Sequence, residues 1–563
     1  MQDYPRWPNL AAMMFALARE WKARPMLRAF RDGGWHSTSW EEFARQAANL
    51  ARALRGAGIG AGDRVMIVSE NRPEYPIAET ALLAIRAVPV PAYTTNMVAD
   101  HAHVLRDAGI RAAIVSTAAL GARVLQAAGL GPGLDVLICM QPMEHALDWA
   151  DLVAGDAPPD DIAAEAAEIS PDALACLIYT SGTGGAPKGV MLSHRAILSN
   201  CIGCFELLRP LRLDDNEIYL SFLPLSHSFE HTCGQFFLLS RGTEVVYARG
   251  LEHLAADLLT VRPTIIAVVP RILELIRGRV LAAMAREKPI KKRLFDAALA
   301  SGLRRVEGGR RVTDRLVDPV LDRLVREKVR ARFGGRMKVV VSGGARLDPE
   351  VGKFFLAFGM TIIQGYGQTE AGPVISANPP HAIRVETVGP VIQGVDLRIA
   401  EDGEILVRGD LVMAGYWGLP DATSEAIRDG WLHTGDIGVL DPGGYLRITD
   451  RKKDMIVLSG GDNVSPARIE GMLVNEAEIA QAVVAGDGQA GLSALLVPAE
   501  GVAPADVAKA VARVNARLSV VERLRKHAVV EPFTIENGLL TATQKVRRGM
   551  VIRAHAEMLE TLR

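Results

Sequence analysis

The segment Tyr179-Thr-Ser-Gly-Thr-Gly-Gly-Ala-Pro-Lys-Gly189 combines three kinds of phosphate ligand within a short stretch. Glycines let backbone N–H groups approach an anion, Ser and Thr hydroxyls donate to phosphate oxygens, and a lysine adds positive charge. An apolar, strand-like run (173–178) precedes the segment, and Val190-Met-Leu and a helix from Ser193 follow it. Most loops of this kind are plain surface connections, but this combination predicts a polyphosphate-binding loop.

The segment is not a Walker A loop, which requires Gly, four residues and then Gly-Lys-Ser/Thr. Here Pro187-Lys188-Gly189 stands at that position, so the second Gly and the hydroxyl after Lys are missing. The segment resembles the phosphate loop of the adenylate-forming superfamily, which includes acyl-CoA synthetases, peptide-synthetase adenylation domains and luciferases. Gly184 departs from that family, where a second Thr is usual. The resemblance assigns these residues to ATP binding: Thr180, Ser181, Gly182, Thr183, Gly184 and Lys188.

The composition indicates a large globular protein without a polyanion-binding character. The chain has 563 residues, 49% of them hydrophobic and 23% charged, with a formal net charge of -1. These values favour a large core and exclude a disordered or broadly nucleic-acid-binding chain. Five cysteines in so long a chain favour a reducing compartment. The sequence shows no signal-peptide core and no apolar run of roughly 20 residues, so we expect a cytoplasmic protein, at most peripheral to a membrane.

Alternating helical and strand-like segments predict the fold class. Residues 40–57 have helical periodicity with Ser39 as the candidate cap, residues 64–69 and 112–116 read as buried strands, and residues 79–86 read as a helix. Such alternation predicts an α/β fold of stacked, mostly parallel sheets covered by helices. We expect a large N-terminal domain at 1–450 and a small, mobile α+β domain at 451–563.

Two glycine turns follow apolar strands and suit a flat heteroaromatic ring. Gly343-Gly-Ala-Arg346 follows one strand, and Gly365-Tyr-Gly-Gln-Thr-Glu370 follows another. Ligands of parallel α/β folds bind at such carboxyl ends, and a hydroxyl with a carboxylate suits Mg²⁺ on a phosphate. The alternative is two tight turns without a ligand. The resemblance places adenine and Mg²⁺ here, with Thr183 and Glu370 as catalytic Mg²⁺ ligands, and adds these residues to the ATP site: Gly344, Ala345, Gln364, Gly365, Tyr366, Gly367 and Thr369.

The remaining assignments rest on the resemblance as well. Asp436, which follows a Gly turn, would accept hydrogen bonds from the ribose hydroxyls. The alternative interpretation is an ordinary surface Asp in a turn. Ile448 and Arg451 would contact the nucleotide, and Lys453 would be the hinge of the C-terminal domain. Gly460 and Gly461 would line a tunnel for the pantetheine of CoA. Lys545, in Leu540-Thr-Ala-Thr-Gln-Lys545, would be the mobile catalytic lysine.

The segment Leu223-Pro-Leu-Ser-His-Ser-Phe-Glu-His231 allows two interpretations. His227, Glu230 and His231 match the inverzincin pattern, which requires a helix. Pro224 and the strand-like run before it favour a strand end that enters a loop. The superfamily has a Leu-Pro-x-x-His segment here that lines the acyl pocket, which would place the catalytic His227 near the substrate carboxylate and Phe229 or Phe236 in the pocket wall. His231 as a helix cap, and Cys201 and Cys204 as buried thiols or a zinc or redox pair, also stay open.

Residues 277–336 are strongly basic and helical in composition. A solvated helical hairpin is one interpretation, and a patch for an anionic membrane surface or for CoA phosphates is the other. The segment resembles the insertion of long-chain acyl-CoA synthetases.

The resemblance implies a long-chain fatty acid–CoA ligase. It would use ATP, Mg²⁺ and CoA to convert a fatty acid to acyl-AMP and then acyl-CoA, with no nucleic-acid partner; a homodimer and peripheral membrane contact are left open. The alternatives are an acyl-AMP ligase that serves a carrier protein, a zinc hydrolase, and a non-catalytic lipid-binding relative.

Overall fold

The computed structural model describes residues 4–131, 133–180, 186–214, 216–309, 311–460, 462–541 and 545–562. Ser181, Gly182, Thr183, Gly184 and Gly461 lie outside the described residues, so the predictions made for them stay predictions.

The first part of the chain alternates helices and strands around a parallel sheet. Its helices are α1 (Leu10–Trp21), α2 (Trp40–Gly56), α3 (Glu74–Ala84), α4 (Val98–Asp107), α5 (Ala118–Ala128), α6 (Trp149–Val153) and α7 (Asp160–Ala167). Its strands are β1 (Pro25–Arg31), β2 (Gly34–Ser39), β3 (Arg64–Val68), β4 (Val88–Ala92), β5 (Ala112–Val115), β6 (Val136–Cys139) and β7 (Leu147–Asp148). Strands β4-β3-β5-β6-β7 form one sheet, and all their pairings are parallel.

The central part carries the two strands that flank the predicted phosphate loop, and the basic helices. Its strands are β8 (Leu174–Thr180), β9 (Lys188–Ser193), β10 (Ile218–Ser221), β11 (Glu244–Tyr247) and β12 (Ile265–Val268). Its helices are α8 (His194–Leu208), α9 (Leu254–Val261), α10 (Pro270–Ala285), α11 (Pro289–Val306), α12 (Val312–Leu321) and α13 (Glu327–Ala331). The shorter elements are 3₁₀ turns at Arg209–Leu211 and Leu251–His253 and π-helices at Glu230–Phe237 and Asp322–Arg326.

The next part completes the largest sheet and adds an antiparallel one. Its strands are β13 (Val339–Ser342), β14 (Ile362–Gly367), β15 (Val374–Ala377), β16 (Asp396–Ile399), β17 (Glu404–Arg408), β18 (Gly415–Tyr416), β19 (Ile427–Arg428), β20 (Trp431–Leu440) and β21 (Leu446–Arg451). Its helices are α14 (Pro349–Ala357), α15 (Pro420–Ala426) and a 3₁₀ turn at Thr369–Ala371. The largest sheet has the order β15-β14-β13-β12-β10-β11-β1-β2, with antiparallel pairs at its two edges and parallel pairs between them.

The C-terminal part has hydrophobic cores of its own. Its strands are β22 (Ile456–Val457), β23 (Asn463–Val464), β24 (Ile479–Ala485), β25 (Leu492–Pro498) and β26 (Leu524–Val529). Its helices are α16 (Pro466–Val474), α17 (Pro504–Asn515), α18 (Arg548–Ala554), α19 (Ala556–Thr561) and a 3₁₀ turn at Val520–Glu522. Buried residues from Ile456 onward pack into two clusters that draw on this part of the chain alone. The α/β prediction of a large N-terminal part with parallel sheets and a small C-terminal one is confirmed.

Two helices show where sequence periodicity succeeds and fails. Helix α2 begins at Trp40 as predicted, and Ser39 Oγ accepts a hydrogen bond from the Glu42 N–H at 3.2 Å. Helix α3 begins at Glu74, before the predicted start at residue 79. Every residue of α3 is buried, so no polar face exists to mark a helical period.

The basic region forms α10 to α13 and the π-helix between α12 and α13, as its helical composition predicted. Among the described residues, no helix is both long enough and apolar enough to cross a membrane.

Candidate active site

A cavity of about 1220 Å³ lies where the turns after β13 and β14 meet the β8–β9 hairpin, strands β20 and β21, and the C-terminal segment. It draws on elements that are far apart in sequence, as expected where the carboxyl ends of parallel strands converge. The predicted site residues that line it are Thr180, Lys188, His227, Gly344, Gly365, Tyr366, Gly367, Thr369, Glu370, Asp436, Arg451, Lys453 and Lys545.

The two strands that flank the predicted phosphate loop, β8 and β9, form an antiparallel pair. Strands β8 and β9 pair in a register that sets Thr180 opposite Lys188, at the two ends of the loop. The Lys188 ammonium lies 4.8 Å from the centre of the Tyr416 ring, within cation–π range. The cation therefore rests on an aromatic face inside the cavity.

Tyr416 is a site residue to which the sequence analysis gave no role. It lies in β18, which pairs with β9, so the sheet itself carries the ring to Lys188. Its hydroxyl donates to Glu370 Oε1 at 3.0 Å. No local pattern could reveal this contact, because a long-range strand pairing creates it.

The two glycine turns face the cavity as a pair. Gly344 has φ of 80°, a conformation that favours glycine. A Cβ at Gly367 would lie 2.0 Å from the Pro373 carbonyl oxygen, so only glycine fits there. Ala345 is exposed and Gln364 is buried within β14, and neither lines the cavity.

The carboxylate of Asp436 is held from two sides. The Tyr366 hydroxyl donates to its Oδ2 at 2.6 Å, and Arg451 Nε lies 3.1 Å from its Oδ1. Asp436 and Arg451 face each other across the β20–β21 pair, which fixes their separation. Ile448, on the same strand as Arg451, packs against the hydrophobic core and does not line the cavity.

Lys545 reaches the cavity from the C-terminal part. Its backbone N–H donates to Thr541 Oγ1 at 3.0 Å, and the Thr541 N–H donates to its carbonyl at 2.8 Å. Lys545 lines the cavity and is exposed to it. The pKa of Lys545 is lowered to about 8, first by partial loss of hydration within the cavity and second by the positive charge of Arg451, while the negative charge of Asp436 acts in the opposite direction.

His227 is a neutral imidazole at the cavity wall. Burial lowers the pKa of His227 to about 3, and the positive charge of Lys545 acts in the same direction. Its Nδ1 accepts a hydrogen bond from the Phe229 N–H at 3.2 Å. Phe229 lines the cavity, whereas Phe236 is buried behind it against His231.

The zinc-hydrolase interpretation is not supported by this geometry. Glu230 accepts hydrogen bonds from Tyr219 at 2.7 Å and Ser221 at 2.6 Å, while the His231 ring pairs with Glu79. The His227, Glu230 and His231 side chains therefore have separate partners. Within the described ranges, no group of His, Cys, Asp and Glu is arranged to hold a metal on its own.

An apolar branch extends the cavity between α8, the π-helix at Glu230–Phe237 and the large sheet. It contrasts with the cationic side of the cavity, which carries Lys188, Arg451 and Lys545. The residues of the branch are Cys204, Leu207, Leu208, Cys233, Phe237, Leu238, Ile265, Ala267, Val341 and Ile363.

Comparison with known proteins agrees with this arrangement. Residues 17–417 match the AMP-binding enzyme family, and residues 453–562 match the AMP-binding enzyme C-terminal domain. The chain belongs to the AMP-binding enzyme family. A curated relative, the long-chain-fatty-acid–CoA ligase FadD15 of Mycobacterium bovis, is 34% identical over 98% of this chain and 97% of the relative. The peroxisomal long chain acyl-CoA synthetase 6 of Arabidopsis thaliana is 30% identical, over 94% of this chain and 82% of the relative.

Solved structures share the fold. A benzoate CoA ligase from Burkholderia xenovorans superposes with a TM-score of 0.75 at 24% identity, covering 96% of this chain and 99% of that one. ATP-bound MatB from Rhodopseudomonas palustris gives a TM-score of 0.74 at 23% identity, covering 98% and 100%. At these identities the likeness concerns the fold of an AMP-binding enzyme and not its substrate.

In this AMP-binding enzyme, Glu370 is the residue that fits a magnesium–phosphate contact. Its carboxyl faces the cavity with a hydrogen bond from Tyr416, and burial raises its pKa. A carboxylate that has lost water and has one neutral donor gains from a divalent cation, and oxygen ligands are those that Mg²⁺ prefers. Thr183, the other predicted ligand, lies outside the described residues.

The predicted hinge residue, Lys453, lies between β21 of the N-terminal part and β22 of the C-terminal part. Lys453 lines the cavity, and its neighbour Lys452 pairs with Asp402 at 2.5 Å and Glu404 at 3.0 Å. Gly460 is exposed at the turn after β22, outside the cavity lining. Cys201 and Cys204 are buried free thiols on α8.

Proposed function

We propose that the protein is a long-chain fatty acid–CoA ligase that forms acyl-AMP and then acyl-CoA. The observation that carries this proposal is the convergence of Lys188, Glu370, Asp436, Arg451 and Lys545 on one cavity that also has an apolar branch. The names of the curated relatives support the same activity.

The first step joins the substrate carboxylate to the α-phosphorus of ATP. A carboxylate oxygen forms a bond to phosphorus, the bond to the β-phosphate oxygen breaks, and pyrophosphate leaves. Lys188 and the loop hydroxyls hold the leaving phosphates. The Lys545 ammonium neutralises charge between the attacking carboxylate and the α-phosphate. Rate enhancement then comes from positioning and electrostatic stabilisation.

The adenosine is held by the pair of turns and by Asp436. Tyr366 and its neighbouring glycines accommodate the adenine ring, and Asp436 accepts from the ribose hydroxyls. Glu370, with Thr183, would hold Mg²⁺, which when bound neutralises phosphate charge. His227 is neutral, so it can donate one hydrogen bond to the acyl carboxylate region without adding charge.

The second step transfers the acyl group to CoA. The thiol sulfur forms a bond to the acyl carbon, its proton is released, and AMP leaves with the bonding electrons. We propose that residues 451–563 rotate about Lys453 between the steps, withdrawing Lys545 and bringing Gly460 and Gly461 to the cavity. Glycine there would leave room for the thin pantetheine arm.

The acyl specificity and the location complete the proposal. The apolar branch between α8 and the π-helix supports an aliphatic chain over a small or charged acid. We propose a cytoplasmic enzyme that touches the inner membrane surface through residues 277–336. A homodimer is a further expectation that analytical ultracentrifugation tests directly.

An acid panel with ATP, Mg²⁺ and free CoA tests the function. Palmitate-class acids should support formation of AMP, pyrophosphate and acyl-CoA far better than acetate or coumarate. A preference for the short or aromatic acid would overturn the substrate assignment. Acyl-AMP that accumulates with free CoA present, and is discharged only by a phosphopantetheinylated carrier protein, would favour the acyl-AMP ligase instead.

A further inference from the structure

Helix α12 (Val312–Leu321) is an amphipathic helix that points its apolar face away from the protein. Val312, Leu316 and Val320 are 77%, 76% and 56% exposed. Leu324, in the π-helix that continues α12, is also exposed. Since these residues follow one another at intervals of four, they form one continuous stripe. We call Val312, Leu316, Val317, Val320 and Leu324 the outer stripe.

The inner face of the same helix is acidic and holds it to the protein. Asp314 pairs with Arg304 at 2.5 Å, and its side chain is only 4% exposed. Asp318 pairs with the buried Arg326 at 2.8 Å and accepts from Ser301 at 2.6 Å. The helix is therefore anchored chiefly by ion pairs and hydrogen bonds, the reverse of the usual pattern for a helix on a soluble protein.

A third row flanks the outer stripe with positive charge. Arg311, Arg315 and Arg323 lie just before, within and just after α12, at intervals of four and eight residues, and all three are exposed. In the part of the chain that the structure describes, Arg315 and Arg323 form no ion pair. Residues 277–336 hold 18 of the chain's 64 Lys and Arg but only 7 of its 65 Asp and Glu.

We infer that the outer stripe and its arginine row form a docking surface for an anionic lipid bilayer. Apolar side chains inserted at the headgroup boundary, bordered by cations, match both the chemistry and the layout of such a surface. A second copy of this chain fits poorly, because the face would bring two arginine rows together. An isolated CoA phosphate would engage the cations and leave the outer stripe in water.

This docking surface specifies the membrane contact proposed for residues 277–336 and to that extent rests on the proposed function, but it does not depend on the reaction itself. The measurement is therefore binding alone, without ATP or CoA. The full-length protein is mixed with vesicles of 30% phosphatidylglycerol in phosphatidylcholine, or of phosphatidylcholine only, and bound protein is recovered by sedimentation. Low and high salt are compared, since screening weakens the contribution of the arginines.

Two pairs of variants separate the apolar and the charged contributions. Leu316→Gln/Val320→Gln should weaken binding to the anionic vesicles at least tenfold, while the matched exposed pair Val520→Gln/Val521→Gln should leave it unchanged. Arg315→Glu/Arg323→Glu should weaken binding at least tenfold, and Arg315→Lys/Arg323→Lys should retain most of it. Thermal melting and activity on soluble octanoate should stay the same in all four, which separates lost docking from lost folding or catalysis.

Three results would overturn the inference. The first is wild-type protein that does not bind anionic vesicles at low salt. The second is binding that the α12 variants leave intact. The third is a dimer in size-exclusion chromatography that Leu316→Gln/Val320→Gln converts to monomer without any vesicle binding, which would make the outer stripe a self-interface.

Discussion

Tyr366 donates a hydrogen bond of 2.6 Å to Oδ2 of Asp436, although the two residues belong to different sheets. The tyrosine lies near the end of β14, whose following turn we propose for adenine, and the aspartate lies on β20, which we propose for ribose. One hydrogen bond therefore connects the two halves of the proposed nucleoside site, and Arg451 holds the other carboxylate oxygen.

Replacing Asp436 with Asn should weaken ATP use strongly. The amide has one acceptor oxygen and cannot accept hydrogen bonds from two hydroxyls as a carboxylate does. A hydrogen bond to a charged group contributes about 1.5–3 kcal/mol. We expect kcat/KM for ATP to fall roughly tenfold to a hundredfold, while Tyr366→Phe, which removes only the neutral donor, should cost less than tenfold. Steady-state pyrophosphate release measures both, and an Asp436→Asn enzyme with unchanged kcat/KM would contradict the ribose assignment.

Adenylation should decline as the pH rises through about 8. The pKa of Lys545 is lowered to about 8, so the side chain is protonated below that pH and loses its positive charge above it. The rate of carboxylate-dependent ATP–pyrophosphate exchange should therefore fall at alkaline pH. In the variant Lys545→Arg, whose side chain keeps its charge, this decline should begin at a higher pH. Lys545→Ala should abolish exchange yet still convert supplied acyl-adenylate to thioester; normal exchange in this variant would disprove the catalytic assignment.

Glu370→Gln should raise the Mg²⁺ concentration needed for adenylation. The amide keeps the shape but loses the charge that favours a divalent cation. We expect the half-saturating Mg²⁺ concentration to rise at least tenfold in an exchange assay. Tyr416→Phe, which removes the hydrogen bond to Glu370 and keeps the ring beside Lys188, is the matched control and should change it much less. Equal effects of the two variants would argue for a structural role of Glu370.

A larger side chain at Cys233 should shorten the accepted acyl chain. Cys233 lines the apolar branch next to Phe237, and Phe at this position would fill space that a long chain needs. For Cys233→Phe we expect kcat/KM for palmitate to fall at least tenfold relative to hexanoate, whereas the similarly sized Cys233→Ser should keep the ratio. A uniform loss for both acids would instead indicate general disruption of the site.

Glu230 should make the protein's stability depend on pH. Burial raises the pKa of Glu230 from 4.5 to about 7, although Ser221 and Tyr219 donate to it. A folded-state pKa above the unfolded one favours folding fully below pH 4.5, and this contribution is lost as the pH rises through about 7. The change amounts to about 3 kcal/mol in the free energy of unfolding.

The variant Glu230→Gln should remove this slope between pH 4.5 and 8 in urea unfolding. The exposed Glu41→Gln is the control and should keep it. An unchanged slope in Glu230→Gln would mean that the folded protein holds this carboxyl ionised.

Sequence motifs located most of the site because each motif is local. Thr180, Lys188, Glu370, Asp436 and Lys545 were each picked out by a few neighbouring residues, and all of them line one cavity. The roles proposed for them stay predictions until the variants are measured. The α/β fold followed from alternating apolar segments, since strand and helix periods are local properties too.

Other features could not be predicted because distant pairings create them. Tyr416 gains its place only through the pairing of β18 with β9. The separate partners of Glu230 and His231 depend on Tyr219, Ser221 and Glu79, which lie on other elements. Gln364 and Ile448 match family positions, yet both turn toward the core. The outward orientation of the apolar face of α12 can be recognised only once the burial of its residues is known.

The contact between Lys188 and Tyr416 has a practical consequence for handling this protein. The backbone N–H of the next residue, Trp417, donates to the Gly189 carbonyl at 2.8 Å, and the indole ring of Trp417 lies under the Arg64 guanidinium. A triphosphate that draws Lys188 off the Tyr416 ring would disturb the same pair of strands. The chain thus contains an intrinsic fluorophore beside its predicted phosphate loop, and a change in the emission of Trp417, one of seven tryptophans, offers an optical titration of ATP without a coupled assay or a label.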